Sequence, residues 1–110
     1  MTALASESSV TKLYLTGLQS LDPIGVYLED VGRGQGRITI TCYDRAWTAY
    51  WGGMGDKSVS HFVRSCGVDY LVGSLFPRIK LAKKLERQEK EYLGRILRAV
   101  QAGLNAREKP

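Results

Sequence analysis

Residues that build metal centres and disulfide frameworks are scarce in this chain. Its 110 residues include two cysteines, Cys42 and Cys66, and one histidine, His61. The cysteines form no Cys-x-x-Cys pair and have no histidine set beside them, so neither a zinc site nor a disulfide scaffold is indicated. Both are expected as free thiols in a reducing compartment. No apolar run approaches the roughly 18 residues of a spanning helix, and the N-terminal "MTALASESSV" lacks the basic start and apolar core of a signal peptide. The expectation is a cytoplasmic protein, in a bacterial or otherwise reducing compartment, with no membrane partner. Internal repeats and low-complexity tracts are also missing.

What is present describes an ordinary globular chain with a basic bias. Hydrophobic residues make up 44% and charged residues 25%, enough for one core and too short a chain for two. Residues 1–9 are small and polar without a period, and read as a flexible tail. A single domain is expected over 10–107, with a short C-terminal tail at 108–110. The formal net charge of +5 attracts nucleic acid, anionic lipid or an acidic protein surface, and selects none of them.

Four runs alternate with period 2, the signature of half-buried strands. Leu13 and Leu15 alternate with Lys12, Tyr14 and Thr16; Ile24, Val26 and Leu28 alternate with Tyr27 and Glu29. Ile38, Ile40 and Cys42 alternate with Thr39, Thr41 and Tyr43, and Trp47, Ala49 and Trp51 with Thr48 and Tyr50. The runs are too close together for crossover helices, so the predicted sheet is an antiparallel meander of about four strands.

Beyond the glycines of "WGGMG" the period becomes helical. Val59, Phe62, Val63 and Cys66 share one face, with Asp56 or Ser58 as N-cap and Gly67 as the stop. A second short helix is predicted from Asp69, anchored by Tyr70, Leu71 and Leu75 and ended by Pro77. From Arg78 to about Arg107, Leu85, Tyr92, Ile96, Val100 and Leu104 trace an apolar stripe, with Glu86–Lys90 and Arg87–Glu91 as supporting i, i+4 pairs. The polar "KKLERQEKE" is either a solvated stretch of one long helix or a joint between two. The fold class is therefore α+β: a meander followed by two to four helices, the last long and C-terminal. Its stripe also allows pairing with a second copy as a homodimer.

Chemistry-bearing constellations are few. "GRGQGR" sets Arg33 and Arg37 among glycines, but a strand follows it where a phosphate loop would open a helix, so a solvated hairpin connection is the better reading. His61 and Cys66 are five residues apart on one helix, about 140° around its axis, and cannot easily meet. Cys66 is expected as a buried thiol and His61 as a surface residue. No carboxylate pair is spaced for acid and base work. No catalytic, cofactor or metal residue is assigned, and the chain is expected not to be an enzyme.

Two surfaces remain. Lys80, Lys84, Arg87, Arg95 and Arg98 fall near one face of the last helix and could track phosphates, though neighbouring glutamates cancel part of the field. The aromatics around "WTAYWGGMG" could form a stacking platform or a protein-binding hot spot. Alternation sends Trp47 and Trp51 inward and leaves Tyr50 and Met54 outside.

The segments "KLYLTGL", "YLED", "GRGQGRITITCYDRAWTAYWGGMG", "YLVGSL" and "EYLGRILRAVQAGL", spanning Lys12 to Leu104, resemble a group of small proteins encoded by tailed bacteriophages and prophages. The resemblance implies a phage accessory protein that binds and blocks a host protein or nucleoprotein complex, with a CRISPR effector among the targets. Tyr27, Arg33, Arg37, Tyr50 and Met54 are the expected partner-binding residues. The alternative is a small nucleic-acid-binding regulator that uses the basic helical face.

Overall fold

The computed structural model describes residues 3–108. Of the tails expected at 1–9 and 108–110, residues 1–2 and 109–110 lie outside the described residues. Residues 3–10 are irregular and exposed. The four alternating runs become strands β1 (Thr11–Leu15), β2 (Ile24–Gly32), β3 (Gln35–Cys42) and β4 (Arg45–Trp51). They pair antiparallel in sequence order, β1-β2-β3-β4, so β1 and β4 are the edges. Three helices follow: α1 (Val59–Ser65), α2 (Val68–Leu75) and α3 (Lys83–Glu108).

Register fixes which side chains share a face. Leu13, Val26, Ile40 and Trp47 stand opposite one another across the sheet, and Leu28, Ile38 and Ala49 form the adjoining row. All but Leu13 are buried, and Leu13 packs against them partly covered. Val59 and Val63 of α1, Leu71, Val72 and Leu75 of α2, and Leu93, Ile96, Leu97, Val100 and Leu104 of α3 close over this face. Each fully buried Leu or Ile contributes about 1.5–3 kcal/mol relative to exposure, so one core between sheet and helices holds the fold. All three helices lie on this side, and no helix of the described residues covers the other.

Helix boundaries follow local chemistry. Ser58 caps α1, its Oγ accepting from the His61 backbone N–H at 3.2 Å, and Asp30 of β2 accepts from the Val59 N–H at 2.8 Å. α1 ends at its Cys66 C-cap, directly before Gly67, which also serves as the N-cap of α2 in extended conformation. Phe76 ends α2 because Pro77 disfavours helical geometry at the residue before it. α3 begins at Lys83, five residues later than the composition suggests, since the chain is still turning after Pro77, with Ile79 N–H bonded to Pro77 C=O at 2.9 Å. "KKLERQEKE" is continuous helix. Leu85, expected on the apolar stripe, is exposed, and Tyr70, expected as an anchor, is exposed beside Phe62. The stripe instead widens to Leu93 and Leu97.

Candidate functional site

The outer face of the sheet is built by the same alternation that fills the core. Register sets Lys12, Tyr27, Thr39 and Thr48 in one row, with Tyr14, Gly25, Thr41 and Ala46 on one side of it and Glu29, Arg37 and Tyr50 on the other. A diagonal of Tyr14, Tyr27 and Arg37 with Tyr50 beside it therefore crosses all four strands. Tyr14 is 63% and Tyr50 50% exposed, while Tyr27 is half-buried. Tyr27 is lower because its ring lies across Gly25, where an added Cβ would stand 3.3 Å from the ring and 2.5 Å from Thr41 Oγ1.

Cations accompany the rings. Lys12 Nζ stands 5.4 Å from the Tyr27 centroid and 5.8 Å from that of Tyr14, and the Arg37 guanidinium is 5.7 Å from that of Tyr50. Each contact holds an aromatic side chain in place at about 0.5–1 kcal/mol for exposed sites. Thr39 and Thr48 share a hydroxyl hydrogen bond of 3.2 Å between the two groups. Glu29 is the acidic residue of these rows. The surface is aromatic, hydroxyl-bearing and weakly cationic.

Of the five residues expected to bind a partner, the fold thus brings Tyr27, Arg37 and Tyr50 together on this face. Arg33 stands apart at the β2–β3 hairpin tip, where its guanidinium pairs with Asp56. Met54 is a correction: it is 4% exposed and belongs to the core. The glycine-rich segment after β4 folds back on that hairpin, with Met54 N–H bonded to Gly34 C=O at 2.9 Å. The Met54 side chain slides beneath Gly36, where an added Cβ would meet Glu29 C=O at 2.8 Å, Val59 at 3.0 Å and Met54 at 3.2 Å. Gly34 holds φ +69° and leaves room only for the Gly55 backbone. The glycines of "GRGQGR" and "WGGMG" therefore make two stretches of backbone touch, and Trp47 and Trp51 close the core beside them, Trp51 against Phe62 at 5.1 Å.

Basic residues of the last helix divide. Lys80 lies in the connector before α3, and Lys84 stands at its first turn. Arg87, Arg95 and Arg98 line a cleft of about 880 Å³ between α2 and α3, together with Lys83 and Lys90 but also Asp69, Glu86 and Glu91. Lys90 pairs with Glu86 at 3.8 Å, and Arg95 donates to Ser20 C=O at 2.8 Å. Arg87 forms no ion pair with Glu91 among the described residues. The cleft is mixed in charge.

Sequence reasoning missed Arg45, whose guanidinium lies 5.0 Å from the Trp47 ring and 5.4 Å from that of Tyr92 while pairing with Glu89. It fastens β4 to α3, and nothing local to Arg45 signals a partner 44 residues away. Nearby, Tyr92 Oη donates to Cys42 Sγ at 3.5 Å. That hydrogen bond, helped by burial, pushes the Tyr92 hydroxyl up to about 12. Cys66, expected to be buried, is only partly so, and that partial burial pushes its thiol upward, an effect the neighbouring Lys57 partly offsets. His61 is exposed. Among the described residues, no group of three His, Cys, Asp or Glu side chains could hold a metal ion, and no helix is long and apolar enough to cross a membrane.

No curated protein and no solved structure matches the chain. A model of the phage family Phage_phiTE_072 matches residues 5–85, which include the whole sheet, α1, α2 and the first turn of α3. That span carries every strand of the tyrosine-bearing face, and by it the chain belongs to this phage family.

Proposed function

We propose that the chain is a non-enzymatic phage accessory protein that binds and inhibits a host protein or nucleoprotein complex in the bacterial cytoplasm, with a CRISPR effector as target. The observation that carries the reading is the uncovered outer face of the sheet, where Tyr14, Tyr27 and Tyr50 stand with Lys12 and Arg37. Tyrosine and arginine are the side chains that dominate protein interfaces, and tyrosine offers contact area at low entropic cost. A phage origin supplies a reason to display such a surface without catalytic groups. Plating of a targeted phage on a CRISPR-immune host tests it. Expression of the chain should restore plaques, and expression of the folded Tyr27→Ala/Tyr50→Ala variant should not. Unchanged immunity with the wild-type chain at high level would contradict the reading.

A second reading, a small basic nucleic-acid-binding regulator, draws on the cations of the α2–α3 cleft. Backbone phosphate contacts would make binding fall with salt, and Arg87→Glu with Arg98→Glu would flatten that slope.

A further inference from the structure

β4 is an edge strand whose outer side carries no paired strand among the described residues. It contains no proline, no register shift interrupts its pairing with β3, and its outer side has no backbone partner among the described residues. Proteins usually blunt such an edge, because its unpaired N–H and C=O groups are a template for another strand. The turn at Tyr43 and Asp44 is two residues long, closed by the facing pair Cys42 and Arg45. Alternation from that closing pair leaves the backbone groups of Ala46, Thr48 and Tyr50 directed away from β3. The close Thr39–Thr48 side-chain pair, at 3.2 Å, has the geometry of a non-hydrogen-bonded position and agrees with this phase.

Beside that edge lies a groove of about 530 Å³ between β4 and the end of α2. Ala46, Trp47, Leu75, Phe76 and Pro77 supply its apolar lining, with Trp47 and Leu75 buried at its floor and Phe76 and Pro77 nearer the solvent; Arg45 and Arg78 are its charged residues, and no acidic residue lines it. Arg45 is already engaged by Glu89. Arg78 is exposed and enters no ion pair among the described residues.

We propose that the β4 edge and this groove bind an extended peptide segment of a partner protein by strand addition, with an apolar side chain at Phe76 and Pro77 and an acidic side chain at Arg78. Backbone hydrogen bonds to the edge supply affinity, and the alternating pockets supply selectivity. A second copy of this chain is disfavoured as the occupant. It would bring a second Arg78 with no acid in the groove to meet it, whereas an acidic segment meets the charge directly. The site adjoins the outer face and shares Ala46, Thr48 and Tyr50 with it; Arg78 belongs to the groove alone, so Arg78→Glu separates the failure of one from the failure of the other.

The test is selection from a displayed library of randomised ten-residue peptides against the full chain, with the recovered peptides assayed by fluorescence anisotropy and amide NMR. Expected are peptides alternating apolar and acidic residues, whose binding shifts the Ala46, Thr48 and Tyr50 amides. Arg78→Glu should weaken them at least tenfold, and so should Ala46→Pro, which removes an outward N–H. Arg78→Glu changes an exposed residue and keeps the test valid if the proline variant does not fold. Failure to recover any binder, binding that survives Arg78→Glu, or dimerisation of the free chain through β4 would each overturn the proposal.

Discussion

The two faces of the sheet are written in the same strands and could hardly differ more. In β3, Ile38, Ile40 and Cys42 are fully buried, while Arg37, Thr39 and Thr41 point the other way into solvent or partial cover. The inner face is covered by three helices and specified by volume; the outer face is held by tyrosine–cation contacts and a threonine pair. The lesson is that stability and recognition are separated by one residue of phase, so substitutions can address one without the other.

The largest effect expected belongs to the inner face. Ile40→Ala removes a side chain with no exposure and should cost about 2–5 kcal/mol in denaturant unfolding, against which any binding loss would be secondary. Next comes the join between hairpin and loop. Gly34→Ala places a Cβ against the Gly55 carbonyl at a positive φ, and a loss of about 1–3 kcal/mol should appear in thermal melts. Asp30→Ala removes the carboxylate that accepts from Val59 N–H, and about 1 kcal/mol should be lost, with faster amide exchange in the first turn of α1.

At the border of the core, the Tyr92 hydroxyl gives a pH signature. Its folded value is raised to about 12 by the hydrogen bond it donates to Cys42. The unfolded chain loses that proton first, at about 10, so stability should fall as pH rises through that window and be fully present below it. Tyr92→Phe should remove this part of the alkaline loss. A matching alkaline slope in the variant would show that Tyr92 does not contribute. The smallest stability effect belongs to the outer face, where Tyr27→Ala and Tyr50→Ala should each change unfolding by no more than about 1 kcal/mol, the size of a cross-strand pair. A loss as large as that of Ile40→Ala would erase the contrast between the faces.

Strands were legible because alternation is local: each of Ile24, Val26, Leu28, Ile38 and Ile40 declares its face by its neighbours. Trp47 and Trp51 followed the same rule inward. The start of α3 was not legible, since Arg78 to Ala82 are acceptable helix residues and only the turn after Pro77 keeps them out. Met54 was misread because its burial depends on a loop meeting a hairpin tip about 20 residues earlier, a contact no period encodes. Arg33 looked like part of a binding loop for the same reason, its partner Asp56 lying across that join. Tyr27, Arg37 and Tyr50 were legible one at a time, but their sharing of a surface with Tyr14 and Lys12 needed the register of three strand pairs.

Whether the outer face is the working surface can be decided by affinity capture from nuclease-treated host lysate. Tagged wild-type chain should be run beside the Tyr27→Ala/Arg37→Glu/Tyr50→Ala variant, with equal melting curves confirming that both are folded. A defined host complex enriched on the wild type and lost from the variant is the predicted result. Equal recovery of the same complex on both would contradict it.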